Sequence, residues 1–109
     1  MVGIDQGEVV LFSDYLDGGE MWTGEGQRIV RRRVLFDDAY ASPPLVNVHL
    51  SMWDVDSNSN MRADVTADDI GTDGFDIVFA TWGDSRWARV RVGWTAIGEA
   101  KDEDDWALY

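Results

Sequence analysis

Residues 74–98 read GFDIVFATWGDSRWARVRVGWTAIG, and this stretch limits the fold more than any other. Two runs of period-2 alternation, GFDIVFATW and RWARVRVGWTAI, flank the polar triplet Gly83-Asp84-Ser85. Alternation at period 2 is the mark of a strand with one dry face, and a short Gly/Asp/Ser connection predicts an antiparallel hairpin. In the second run Ala88, Val90, Val92, Trp94 and Ala96 share one face, while Arg89, Arg91 and Thr95 share the other. Trp82 and Trp87 stand at the two mouths of the expected hairpin, and Trp82 is read as an exposed aromatic platform.

The rest of the chain repeats this grammar. The segment GEVVLFSDY at 7–15 is expected to be a first strand, and the four-glycine stretch at 16–26 a loop. QRIVRRRVLF supplies another strand, whose arginine triplet 31–33 is expected to pair with acidic neighbours or a neighbouring subunit. Pro43-Pro44 cannot donate to a ladder and demands a corner. LVNVHLSMW then alternates, with Val46, Val48, Leu50 and Met52 on one face and Asn47, His49, Ser51 and Trp53 on the other. MRADVTADD alternates in turn, separated from it by the solvated hairpin loop DVDSNSN at 54–60. About six strands at near-regular spacing, without a helical period of useful length, make an all-β, six-stranded antiparallel β-sandwich.

At 109 residues the chain fits a single domain, 1–109, whose end, EAKDEDDWALY, reads as an acidic C-terminal tail. Trp106, Leu108 and Tyr109 could dock on a neighbour. Net charge is -12, from sixteen Asp and five Glu against eight Arg and one Lys. A field of that sign repels phosphate backbones and anionic leaflets, so neither nucleic acid nor membrane is an expected partner. The start, MVGIDQGEVV, lacks a basic n-region and an apolar h-region, and no apolar run is long enough for a membrane span. The chain is therefore expected to carry no secretion signal or transmembrane segment.

Few chemistries fit these residues. With no cysteine and one histidine, His49, thiolate sites and His-based metal sets are missing. Asp54, Asp56, Asn58 and Asn60 alternate as in a calcium loop, but the sixth position is Ser59 and the twelfth Val65, so no metal or other cofactor is expected. Nucleophile–base pairs and phosphate-cradling glycine loops are absent from the sequence. A pair of glycosidase carboxylates would need a deep cleft in a small sandwich. What remains is a binding surface. Trp82 ends one strand, Arg62 stands on the polar face of another, and Glu25 lies in the glycine-rich loop. An apolar ring, a planar fork of donors and a carboxylate acceptor are what a hexose needs, with its C–H patch and vicinal hydroxyls.

The runs VLFDDAYASPPLVNVHLSMWDVD, MRADVTADDIGTDGFDIVFATWGDS and VRVGWTAIG, in this order and spacing, resemble the H-type lectin domain, the family of the snail agglutinin and of the discoidin C-terminal domain. The core of the resemblance is 27–98, leaving 99–109 as the tail. The resemblance implies a non-enzymatic lectin: a homotrimer, sometimes stacked into a hexamer, with sugar sites between protomers that select N-acetylgalactosamine or galactose. It places Arg62 at the family's sugar-binding arginine, Trp82 at the aromatic of its T-W motif and Glu25 near its acidic sugar ligand. Gly83 and Ala88 depart from the polar or aromatic residues that often stand there, so that either Asp84 and Trp87 compensate or the pocket is wider. The alternative is an assembly or adhesion module, such as a phage-associated part, that kept the sandwich and lost the sugar.

Overall fold

A computed structural model describes residues 1–14 and 18–101. Its strands are β1 (Val2–Phe12), β2 (Arg28–Leu35), β3 (Leu45–Val55), β4 (Asp64–Asp68), β5 (Gly74–Thr81) and β6 (Trp87–Glu99), and a helical turn, α1 (Glu20–Thr23), precedes β2. They form two three-stranded antiparallel sheets, ordered β1-β6-β3 and β2-β5-β4. The expected six-stranded sandwich is the fold.

The expected β5–β6 hairpin is not formed. Each of these strands is the centre of a different sheet, and residues 82–86 carry the chain from one layer to the other. The reason is burial. Phe75, Ile77 and Phe79 make one face of β5 dry, and Val90, Val92, Trp94 and Ala96 do the same for β6; all but Trp94 are fully buried. Paired edge to edge, the two dry faces would lie side by side and still need a cover. Placed opposite one another about 10 Å apart, they cover each other. Edge-to-face rings tie the layers together, with Phe75 on Trp94 at 5.4 Å and Phe79 on Trp87 at 5.3 Å between centroids. Each fully buried side chain of this size contributes roughly 1.5–3 kcal/mol.

Other boundaries shift for local reasons. β1 begins at Val2 rather than Gly7, because its inward phase (Gly3, Asp5, Gly7, Val9) needs no large apolar residue where β6 supplies Trp94. The glycine-rich segment contains α1, whose Met21 plugs the core. The loop after β3 is a crossover between sheets rather than a hairpin loop; β4 to β5 is the direct hairpin, turned at Asp69 in the left-handed region (φ 49°). A bulge between Leu50 and Met52 reverses the phase of β3, so Met52 opposes Arg91 on the outer face and Trp53 opposes the core residue Val90. Trp53 nonetheless stays half exposed on this edge strand. Of the triplet, Arg31 and Arg33 pair with Asp68, Asp69, Asp73 and Asp76 on the outer face of the second sheet, while Arg32 falls on the opposite phase of β2, across from Ile77. Trp106, Leu108 and Tyr109 lie outside the described residues.

Candidate functional site

Three loops meet at one end of the sandwich: 82–86 between the sheets, 60–63 before β4, and 24–27 before β2. They are stitched by buried hydroxyls. Ser85 Oγ donates to the Asn60 carbonyl and accepts the Arg62 amide at 3.0 Å. Thr81 Oγ1 donates to the Arg62 carbonyl at 2.6 Å and accepts Trp87 Nε1 at 3.0 Å. Both hydroxyls are sealed from solvent, so the backbone of Arg62 is pinned from two sides.

Arg28 does the same for the third loop. It is 5% exposed and donates to five backbone carbonyls, those of Gly26, Glu20, Met21, Gly83 and Ser85. The Gly26 amide donates to the Gly83 carbonyl at 2.9 Å and closes the joint. Sequence reading took Arg28 as an ordinary strand residue. Its signal in the sequence is its phase, two residues before the inward Val30 and two after Gly26.

On this frame the side chains singled out by sequence fall as follows. The Arg62 guanidinium lies over Gly83, where an added Cβ would sit 3.1 Å from Nη1. Gly83 has φ 69°, a conformation that L side chains rarely adopt, so glycine answers both the turn and the space above it. Arg62 Nη1 is ion-paired with Asp84 Oδ1. That hydrogen bond holds the Asp84 carboxyl below the usual carboxylate range, so the pair stays ionised. Trp82, the next residue back, is 45% exposed and forms an open ring at the rim. Glu25 is within 3.8 Å of Arg86, a cation that sequence reading did not select.

Trp87 is a correction. The resemblance offers it, with Asp84, as a sugar contact that compensates for Gly83 and Ala88, but it is fully buried and reaches no ligand surface. Its phase puts the indole against Phe79, and its N–H orients Thr81 and through it Arg62. Ala88 is buried as well and lends no side chain to the rim. Arg62, Gly83, Asp84, Trp82 and Glu25 therefore gather at one loop cluster, and Trp87 stands behind it. The Asp54 to Asn60 alternation builds no ligand shell: Asp54 pairs with Arg89, and Asp56 accepts the Asn58 amide in a tight turn.

This cluster is a shelf rather than a cleft. A cavity of about 540 Å³ lies elsewhere, bounded by Ile4, Asp5, Asp38, Tyr40 and Lys101. A guanidinium with some donors held by Asp84 and others open, a carboxylate fixed in its charged form and an indole beside them can bind vicinal hydroxyls and an apolar ring face.

The family model of the H-type lectin domain matches residues 31–97. The chain belongs to the H-type lectin domain family. A relative in Fuscovulum blasticum, called ATP synthase subunits region ORF 7, is 51% identical over 107 residues, 98% of this chain and 93% of that protein. Its name states no activity. Discoidin-2 of Dictyostelium discoideum is 34% identical over 64 residues, 58% of this chain and 25% of that protein. The native structure of recombinant discoidin II from Dictyostelium discoideum superposes with a TM-score of 0.76 at 27% identity. That match covers 92% of this chain and 38% of the discoidin chain. This H-type lectin domain thus has a lectin-like carbohydrate-binding fold, and in discoidin II the same fold is one part of a longer chain.

Proposed function

We propose that this H-type lectin domain is a multivalent glycan-binding protein whose site is built on Arg62, Asp84 and Trp82, with Glu25 at its edge. The observation that carries the reading is the Arg62 guanidinium, pinned over Gly83 by Asp84 beside a half-exposed indole. The family favours galactose and N-acetylgalactosamine as the sugars, and a homotrimer or stacked hexamer with sites between protomers. A shallow shelf of this kind supports a dissociation constant on the order of a millimolar, about 4 kcal/mol, for one monosaccharide. Repetition of the site about a symmetry axis supplies a further hundredfold or more on clustered glycans.

The reading is of binding without cleavage: Asp84, held ionised by Arg62, serves as a hydrogen-bond acceptor rather than as a general acid. The test is a glycan array and titration calorimetry on the wild type, Arg62→Ala and Trp82→Ala. Binding of galactose-type glycans by the wild type, reduced at least tenfold in both variants, supports the reading. Absence of wild-type binding across the array overturns it in favour of an assembly module that has lost the sugar.

A further inference from the structure

β2 is an edge strand. Among the described residues it pairs with β5 alone, so its other side offers backbone N–H and C=O groups to a further strand. β3 and β4 pack on each other along one flank of the sandwich, whereas the flank between β1 and β2 is the more open. Arg32 stands on that open flank. It has the inward phase of Val30 and Val34 and lies across from the fully buried Ile77, yet it is exposed, so its guanidinium leaves the sandwich over the edge of β2. β1 gives it little cover, since the inward phase of β1 there is Gly3, Asp5 and Gly7. Arg31 and Arg33 are neutralised by aspartates of the outer face, but Arg32 has no ion-pair partner among the described residues. On the outer phase of the same strand Ile29 and Leu35 are 50% and 69% exposed.

The edge therefore calls for an extended segment that brings carboxylates to its middle and apolar side chains to its ends. The chain contains one. Residues 102–109 read DEDDWALY, its longest run of acids followed by Trp106, Leu108 and Tyr109, while 31–33 is its one arginine triplet. We infer that the open edge of β2 is the docking site of residues 102–109 of the same chain, added antiparallel as a fourth strand of the β2-β5-β4 sheet. Direction and reach agree with this. β2 ends at Leu35, and Asp37 just beyond it bounds the same cavity as Lys101, from which the segment sets out. Eight extended residues at about 3.3 Å each span roughly 26 Å, the length of β2 itself. Running back from Leu35, Asp102–Asp105 meet the Leu35–Arg32 half of β2, and Trp106–Tyr109 meet the Arg31–Arg28 half. With Asp105 opposite Arg32, Leu108 falls opposite Ile29 on the outer face, and both are favourable cross-strand pairs. The β2 edge of a second copy fits less well, because it sets arginine triplet against arginine triplet.

The experiment is amide hydrogen exchange on the full chain, read by NMR at low and high protein concentration. It compares wild type, Arg32→Glu, Asp105→Arg and the two changes combined, with the free peptide DEDDWALY as the unprotected reference. Arg32 is exposed and unpaired, so the variants are expected to keep the wild-type circular dichroism. In the wild type, alternate amides of 103–108 should exchange at least tenfold more slowly than in the peptide. Each single charge reversal should abolish that protection, and the combined variant should restore it. Wild-type amides that exchange at the peptide's rate overturn the docking, and that comparison decides even if a variant fails to fold. Protection indifferent to Arg32→Glu overturns β2 as the site. Protection that grows with protein concentration puts the segment on a neighbouring copy and overturns docking within one chain. Glycan titration of the same variants reads the sugar site separately.

Discussion

At the scale of single residues, the site depends on a few groups with little freedom. Gly83 is the sharpest case, since both its backbone angle and the guanidinium above it exclude a side chain. Gly83→Ala is expected to lower stability by about 1–2 kcal/mol through the left-handed backbone. It should also weaken glycan binding by displacing Arg62; chemical denaturation and calorimetry read the two effects separately. Arg28→Met strands carbonyls that its guanidinium now satisfies. The expected cost is about 3 kcal/mol or more, read in the denaturation midpoint, because hydrogen bonds to a charged donor are among the stronger ones. The pair Arg62–Asp84 sets the acid limit. With the Asp84 carboxyl held below its ordinary value of 3.8, the pair is intact above that pH and is lost only as pH falls through the lowered value. Glycan binding should therefore hold from neutrality down to pH 3.8, and a titration that collapses well above that point counts against Arg62 as the sugar contact. Arg62, Trp82, Glu25 and Asp84 were legible as residue types with complementary chemistry. Arg28 was not, because its role comes from carbonyls contributed by three separate segments.

At the scale of elements, strand phase was legible and strand partnership was not. The inward residues of β5 and β6 follow directly from alternation, since each side chain on a strand must face one layer or the other. Nothing in an alternating run says which sheet it joins. Gly83-Asp84-Ser85 has the composition of a hairpin turn, yet it links the layers, because the two driest strands gain most by facing each other. The same logic moved Trp87 from rim to core: at a strand end one residue of slip decides between water and interior. Trp87→Phe tests its supporting part. Loss of the indole N–H to Thr81 is expected to cost about 1–2 kcal/mol. Glycan affinity should fall as well, although Trp87 touches no ligand. An affinity equal to wild type would show that Thr81 and Arg62 hold their places unaided. In β3 the bulge between Leu50 and Met52 reversed the phase, a local event that periodicity does not forecast.

At the scale of the whole molecule, charge and burial act together. Tyr40 is buried against Asp5, its hydroxyl donating at 2.9 Å, and its phenol is pushed from 10.0 to about 12, first by desolvation and then by that bond. The unfolded chain gives up this proton near pH 10.0 and the folded chain near 12, so this contribution to stability is whole below pH 10.0 and lost between the two. Tyr40→Phe should flatten the alkaline limb of a stability-versus-pH curve. The net charge of -12 makes a further demand: self-association should tighten as salt rises from about 10 to 150 mM, as screening shortens from roughly 30 to 8 Å. Sedimentation at the two ionic strengths checks it. The sequence by itself determined the fold class, the dry face of each central strand and the chemistry of the proposed binding residues, because alternation and side-chain type are local properties carried by each segment. Only the tertiary structure decided that β5 and β6 face each other and that Trp87 stands behind the loop cluster rather than lining it. Those are relations between segments distant in the chain, chosen by which arrangement hides the most apolar surface while every buried donor and acceptor keeps a partner.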